Sequence, residues 1–278
     1  MHKMRIIKWV AIIFGIWLVF LIALNLTFRP SHDRIWEPGH EALPHINIED
    51  DLVTITNYRH FKWTGALEAT RDYETKSFPL SDITGVSVLI SHFSDFEGLA
   101  HIFLSFELKN DTPVVVSLET RREVGEEFSP ILGIFRQFEI IYVVGDERDL
   151  VGVRTDHRDE RVYLYPTKAT PEQAKALFLH LTEKINFVGA EPQMYYTLLR
   201  NCTNEITREV EEMSELNFPL TWKTILPGHF DEILYEMGII DTTLPFNLIK
   251  DKHLLDNSKV SADNDSYSQD LRQSLETE

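Results

Sequence analysis

The sequence predicts an α+β protein in which an N-terminal transmembrane helix precedes an antiparallel sheet packed against helices. Three observations lead to this prediction. The chain begins with a long apolar run, residues 46–166 show the apolar–polar alternation of strands, and the residues from 170 onward change to the helical period. A chain of 278 residues, of which 43% are hydrophobic, is long enough to bury a sizeable core.

The N-terminal run is the clearest single feature. Residues 9–24, WVAIIFGIWLVFLIAL, are wholly apolar and lie within a largely apolar segment over 6–28. Because about 20 helical residues cross a bilayer, residues 1–28 are predicted to be a cytoplasmic tip and a signal-anchor that contacts lipid through 6–28. Basic residues at 3, 5 and 8 favour a cytoplasmic N-terminus, with the rest of the chain exported as a periplasmic domain of a single-pass inner-membrane protein. A cleaved signal peptide is the alternative, although ALN is a poor cleavage site.

Three regions follow the anchor. Residues 29–45 contain three prolines and no periodicity, so they are predicted to be an extended linker, either free or docked. Residues 46–250 are predicted to form one α+β domain. Residues 251–278 are polar and acidic and are predicted to be a disordered tail.

Within 46–250, alternation predicts a hairpin in INIEDDLVTITNYRHF and strands in TGVSVLISHF, AHIFLSFEL, PVVVSLE and VYLYP. A further pair of strands is expected in FEIIYVVGDERDLVGVRT. Thr170 is a good N-cap, Pro171 fits the first helical position, and Gln173 completes a capping box, so a helix is predicted from there. Two more helices are expected, one starting near Cys202 and one in GHFDEILYEMG.

Composition excludes several classes of function. A net charge of −17 argues against nucleic-acid binding, which requires clustered Lys and Arg. A single cysteine excludes an internal disulfide and a CxxC site. His180 and Glu183 have metal-ligand spacing on a helix, but no second such pair supports a metal. We therefore expect neither a metal nor a cofactor.

The only cysteine, Cys202, is placed where a helix is predicted to begin. The free N–H groups and the dipole of a helix N-terminus stabilise a thiolate, and the same groups bind an oxyanion during acyl transfer. The alternative is a buried structural thiol, because Cys202, Ile206, Val210 and Met213 recur at helical spacing.

The alternation of side chains along the predicted strands identifies a candidate base for this thiol. In HIFLSFEL, His101 lies on the face opposite to the apolar face of the strand. Glu119 likewise lies opposite to the apolar face of the next strand. Matching the two apolar faces puts His101 and Glu119 on one face of the hairpin, as an imidazole base with an orienting carboxylate. A salt bridge on a solvated face is the alternative, and His92 is a weaker candidate base.

Further residues are candidates for substrate binding. The end of the same strand carries Arg121, Arg122 and Glu123. The planar guanidinium groups could bind a carboxylate or phosphate of the substrate. The alternative is that these residues form a solvated strand end. Asn201 either assists the oxyanion site or caps the helix. DERD, residues 146–149, is either a turn or a polar binding loop, with the turn favoured.

A strand His followed by a helix-start Cys resembles the circularly permuted branch of the papain-like fold, which includes NlpC-like thiol hydrolases. The chain more closely resembles the bacterial Lnb N-terminal periplasmic domain family, through RPSHDR, GLAHIFLSFEL, VSLETRREVGEEFSP, FRQFEIIYVVGDERDL, VYLYPTKATPEQAKALF and NCTNEI. This resemblance implies an exported domain with Cys202 as nucleophile, His101 as base and Glu119 as orienting group.

Two functions of different classes follow. The first is a membrane-anchored thiol hydrolase or acyltransferase that acts on an amide or ester bond of an envelope peptide or lipid. The second is a non-catalytic binding or assembly module of the envelope on the same fold.

Overall fold

The computed structural model describes residues 2–27, 29–256, 260–264 and 266–276. Helix α1 comprises His2–Thr27. In this part of the chain, none of the helices meets both the length and the hydropathy expected of a membrane crossing. The transmembrane segment therefore stays a prediction from the sequence.

The domain is built on one mixed sheet, so the α+β prediction is confirmed. Its strands are β1 His45–Glu49, β2 Leu52–Arg59, β5 Tyr73–Pro79, β6 Ile83–His92, β7 His101–Leu108, β8 Val114–Arg121, β9 Glu139–Asp146 and β10 Arg161–Pro166, while β3 Lys62–Trp63 and β4 Ala69–Thr70 form a separate ribbon. The order across the sheet is β1-β2-β9-β8-β7-β6-β10, with β5 also paired to β2. Neighbours are antiparallel except for the single parallel pairing of β2 with β9.

Helices cover both faces of this sheet. In the described residues they are α2 Pro130–Ile134, α3 Glu147–Leu150, α4 Pro171–Ala190, α5 Cys202–Met213, α6 Trp222–Ile225, α7 Phe230–Glu236, α8 Phe246–Lys252 and α9 Tyr267–Glu276, in addition to α1. One face packs mainly against α4, α5 and α7, and the other packs against α3 and α9. Two separate apolar cores result.

Helix α4 begins as the sequence predicts. Thr170 accepts a hydrogen bond from the N–H of Gln173, and the Gln173 side chain accepts one from the N–H of Thr170. The predicted stripe of Ala174, Leu177, Phe178 and Leu181 is buried. The predicted hairpin (β1 and β2), the strands β6, β7, β8 and β10, and the helices at Cys202 and Phe230 are also confirmed.

Two predictions, one for the domain and one for the C-terminal tail, are wrong. The second strand expected after β9 is instead α3, followed by a π-helical turn over Val153–His157. Here DERD is structural, because Asp149 accepts hydrogen bonds from Nε and Nη2 of the buried Arg59 at 2.8 and 2.9 Å. The whole of 251–278 was expected to be disordered, but α9 lies in it and buries Tyr267, Leu271 and Leu275. Residues 257–259, 265 and 277–278 of that tail lie outside the described residues.

The linker is docked rather than free, and we call residues 29–45 the strap. The N–H of Ser31 donates to Oε1 of Glu139 at 2.8 Å. Trp36 forms a β-bridge with Glu123, and the N–H of Glu37 donates to the carbonyl of Arg122 at 2.9 Å. The strap therefore lies along the end of β8, next to the residues predicted to be catalytic.

Candidate active site

Helix α5 begins at Cys202, and Asn201 is its N-cap. The side-chain oxygen Oδ1 of Asn201 accepts a hydrogen bond from the N–H of Asn204 at 2.8 Å, and the side-chain Nδ2 donates to the main-chain carbonyl of Thr197 at 2.6 Å. Oδ1 of Asn201 thus caps the helix, and its Nδ2 holds the segment before the helix. The capping role considered for Asn201 is therefore present, and an oxyanion role stays a prediction.

Strands β7 and β8 separate near the start of β7. They pair only from Leu104 opposite Val116 to Phe106 opposite Val114, and the three residues of β7 before Leu104 have no partner in β8. A cavity of about 230 Å³ lies at this opening and is lined by Phe93, Ala100, His101, Leu118, Glu119, Thr120, Arg122, Phe128, Arg154, Arg158, Glu160, Tyr195 and Cys202. We call it the cleft. It brings together the three residues predicted to be catalytic.

Cys202 and His101 reach the cleft from opposite faces of the sheet. Cys202 belongs to the core under α4 and α5, together with Ile102. The ring of His101 stacks on Phe103 with centroids 5.3 Å apart, and Phe103 belongs to the other core. The main-chain N–H of Ile102, the residue next to His101, is nevertheless close enough to the thiol to lower its pKa. The opening between the strands is what allows the two side chains to share one cavity.

A hydroxyl links the imidazole to the carboxylate. Nε2 of His101 lies 2.7 Å from Oγ of Ser117, and that hydroxyl donates to Oε1 of Glu119 at 3.1 Å. Because the hydroxyl proton is directed to the carboxylate, Oγ accepts the proton of Nε2–H. No partner for Nδ1 of His101 is found in the described part of the chain. Nδ1 is therefore the nitrogen free to accept a proton.

Glu119 is held as a carboxylate. Burial by itself would raise its pKa, but Arg154, whose Nη2 is 2.9 Å from Oε1, holds the pKa of Glu119 well below its usual value, with His101 and His40 contributing. Nε2 of His40, a strap residue, lies 4.0 Å from Oε2. Glu119 is thus fixed from three sides and cannot readily swing away from Ser117.

The thiol and the imidazole are both neutral at rest. Burial raises the pKa of Cys202, and this outweighs the lowering by the N–H groups of Ile102 and Thr203. Burial also lowers the pKa of His101 to about 4, against the opposing effect of Glu119. The N–H groups at the helix N-terminus thus lower the thiol pKa as expected, but the net pKa of Cys202 is raised because desolvation is the larger effect.

The predicted binding residues divide between cleft and strap. Arg122 lines the cleft and pairs with Glu37 at 2.9 Å. Arg121 instead lies beneath the strap, where its guanidinium stacks 4.0 Å from the Trp36 ring centroid and its Nε donates to the carbonyl of His40. Glu123 pairs with Arg34 at 2.6 Å. Arg121 and Glu123 are not among the residues that line the cleft, because the docked strap covers them, although Arg121 has the same parity along β8 as Glu119.

Several residues in or next to the cleft were not predicted from the sequence. Ser117 has the parity of Glu119 and precedes it by two residues, so alternation was a usable signal. Arg154 lies in the π-helical turn and Arg158 directly follows it, and this turn carries no periodic signal. The candidate base His92 is a buried residue whose ring contacts Tyr163 edge-on, outside the residues that line the cleft.

One group of side chains in the described residues has the composition of a metal site. The donor atoms of His180, Glu209 and Glu212 lie within 4.8 Å of one another. Lys184 and Arg208 contact the same Glu209 carboxylate, each at 3.4 Å, so its charge is already compensated.

The model of the Lnb N-terminal periplasmic domain family matches residues 69–228, which is more than half of the chain and includes the cleft. The chain belongs to this family. Membership implies a location in the bacterial envelope. No curated protein and no solved structure matches the chain significantly.

Proposed function

We propose that this member of the Lnb N-terminal periplasmic domain family is a membrane-anchored thiol hydrolase or acyltransferase of the bacterial envelope, built on a circularly permuted papain-like domain. Its substrate is an amide or ester of an envelope peptide or lipid. The observation that supports the proposal is that Cys202 and His101 line one cavity where β7 and β8 separate. A nucleophile and a base within one cleft are what acyl transfer requires.

The first step joins proton transfer to attack on the carbonyl. As Sγ of Cys202 bonds to the carbonyl carbon, its proton moves to Nδ1 of His101, and the imidazolium that forms is stabilised through Ser117 by Glu119. The N–H groups of Cys202 and Thr203 lie in the first turn of α5, close to Sγ, and donate to the oxyanion. Collapse of the tetrahedral adduct releases the amine or alcohol, which takes the proton from His101, and leaves a thioester on Cys202.

The second step decides between hydrolysis and transfer. Water or an acceptor amine or alcohol attacks the thioester, again with Nδ1 of His101 as the base. Which acceptor enters depends on the substrate, so both reactions remain within this proposal.

Trapping the thioester tests the catalytic proposal. The full chain in detergent is incubated with activated esters and amides, and its intact mass is measured with and without hydroxylamine. We expect a hydroxylamine-sensitive adduct that Cys202→Ser does not form as a thioester and that His101→Ala forms at least tenfold more slowly. Absence of any adduct that depends on Cys202, together with alkylation that is insensitive to His101→Ala, would contradict catalysis.

Residues 6–28 are proposed as the lipid-contacting anchor, with the N-terminus cytoplasmic and the domain periplasmic in a single-pass arrangement. The apolar run over 9–24 supports this. The full chain should remain in the membrane pellet after carbonate extraction and should be digested by protease in spheroplasts. A mature N-terminus located after residue 24 would show a cleaved signal peptide instead.

The burial of Cys202 supports a second candidate function, a non-catalytic binding or assembly module. Its side chain is within the core at 6% exposure, and its pKa is raised. Such a module requires the fold but not the thiol. Full complementation of a deletion phenotype by Cys202→Ser would therefore favour the module over the enzyme.

A further inference from the structure

We infer that the rim of the cleft is a lipid-binding surface, so that the cleft opens onto the bilayer rather than toward the periplasm. This inference rests on the membrane anchor proposed above but not on catalysis. It adds a second membrane contact, made by the globular domain itself.

Large apolar side chains are exposed on both sides of the cleft. On one side, α2 packs against the segment that leads to Cys202, since the N–H of Thr197 donates to the carbonyl of Gly133. This side, which we call the first lobe, exposes Ile131, Leu132, Phe135, Leu198 and Leu199. Ile131 is 67% exposed and Leu199 is 71% exposed, although burial of such side chains is normally favourable.

A second lobe lies on the other side. Phe93 lines the cleft and meets Phe128 edge-on at 5.9 Å. The loop that follows Phe93 is joined to the chain after α6 by a hydrogen bond from the N–H of Gly228 to the carbonyl of Gly98. This lobe exposes Phe93, Phe96, Trp222 and Ile225. Apolar surface thus flanks the entrance on two sides, which marks an interaction site.

The strap identifies the bilayer as the partner. The main-chain N–H of Ser31 donates to Glu139, the first residue of β9. In the sequence, β9 follows shortly after helix α2 of the first lobe. Ser31 is only the fourth residue after Thr27, the end of α1, and four residues extend at most about 14 Å. If 6–28 lies in the membrane, the first lobe is held next to the lipid surface.

The strap also carries apolar surface to the same place. Ile35 is exposed and accepts a hydrogen bond through its carbonyl from the N–H of Val124, which is itself exposed. Val124 lines a second cavity of about 210 Å³ that shares Glu119, Arg122, Arg154 and Arg158 with the cleft. Ile35 and Val124 thus place exposed apolar side chains beside a cavity that adjoins the cleft.

The experiment measures how deeply the rim enters the bilayer in the full chain. Leu199→Cys is combined with Cys202→Ser, labelled with bimane, and reconstituted into phosphatidylethanolamine–phosphatidylglycerol vesicles that contain doxyl-labelled lipid. The matched control is Leu52→Cys, which is 50% exposed. Leu52 lies toward the end of the sheet that is remote from His101. It pairs with Pro79, and the chain continues from Pro79 to Ile83, which is opposite Leu108 at the far end of β7.

We expect shallow doxyl groups to quench the probe at Leu199 several-fold more strongly than the probe at Leu52, at a depth of about 5–10 Å below the lipid surface. Iodide in the aqueous phase should show the opposite order. The same labelling at Ile131→Cys gives an independent measurement if one variant folds poorly.

Equal access of iodide to Leu199 and Leu52 would overturn the inference, and it is also the outcome if the rim binds a protein partner, because the vesicles contain none. Flotation separates the two proposals. A chain that does not float with vesicles removes the anchor and this inference together, whereas a floating chain with a water-exposed Leu199 removes only this inference.

Discussion

The hydroxyl of Ser117 lies 2.7 Å from Nε2 of His101 and connects the imidazole to a carboxylate that does not bind it directly. This arrangement fixes the tautomer of His101 and leaves Nδ1 to serve as the base. The consequence is testable because Ser117 contacts neither the thiol nor a reacting atom.

We expect Ser117→Ala to slow single-turnover acylation of Cys202 about tenfold and His101→Ala to slow it about 10²–10⁴-fold, since a positioned base contributes in that range. Ser105→Ala is the matched control. Its hydroxyl on β7 also binds a buried carboxylate, that of Glu147, but lies away from the cleft. An unchanged rate in Ser117→Ala would show that Glu119 does not act through this hydroxyl.

Alkylation of Cys202 by iodoacetamide should accelerate with pH throughout the range up to and beyond the ordinary thiol pKa of about 8.5. The reason is that burial raises the pKa of Cys202 and lowers that of His101, so the pair has no ionic form at rest. Glutathione, measured in parallel, provides the reference curve. A rate plateau below pH 7 would instead show a preformed thiolate–imidazolium pair.

Glu139 should make folding stability depend on pH. Burial raises the pKa of Glu139 from 4.5 to about 7, in spite of the hydrogen bond from Ser31 and the charge of Arg34. An acid with a raised folded pKa contributes stability that is full below its unfolded pKa and is lost as pH rises through the folded pKa.

Relative to Glu139→Gln, the wild type should therefore lose up to about 3 kcal/mol of unfolding free energy between pH 4.5 and pH 7, and little more above pH 7. Urea unfolding of both proteins at a series of pH values measures this difference. Other groups that titrate in this window, including His101, cancel in the comparison. A constant difference across the window would contradict the raised pKa.

Arg121 should stabilise the docked strap rather than bind substrate. Arg121→Met removes the guanidinium hydrogen bonds to His40, His32 and Glu41. We expect a loss of about 2–4 kcal/mol in unfolding free energy and faster proteolysis within 29–45. Lys109→Met, at an exposed site at the other end of the sheet, is the control. If Arg121→Met impaired substrate binding while the strap stayed protected, the sequence interpretation would be restored.

Helix α9 should contribute to stability. Leu271 is 2% exposed, and Leu271→Ala should cost about 2–5 kcal/mol, as for other large-to-small changes in a core. Gln269→Ala, at an exposed position of the same helix, should cost little. Thermal unfolding measures both. A disordered tail would give no effect in either variant.

Local rules predicted the elements whose own residues carry the signal. The cap of α4 is specified by Thr170 and Gln173 alone, and the shared face of His101 and Glu119 follows from alternation. The tail was mispredicted because its polar composition hides Tyr267, Leu271 and Leu275, which are spaced by four residues and can only be buried against a sheet formed far earlier in the chain.

The candidate site shows where such rules end. The position of Cys202 at a helix start was predictable, but its burial depends on Ile102 and on the separation of β7 from β8, which no local pattern encodes. Arg121 illustrates the same limit. An Arg at a strand end has the same sequence signal whether it faces solvent or a docked segment, and only tertiary contact distinguishes the two.

The docked strap also sets where the chain can be shortened. Cutting the protein at the first strand, near residue 45, would remove His40 and Glu37 and open one wall around Glu119 to water. A truncated form made for crystallisation or assay should therefore begin no later than Arg29; a shorter one would keep the sheet and the thiol but report a weakened site.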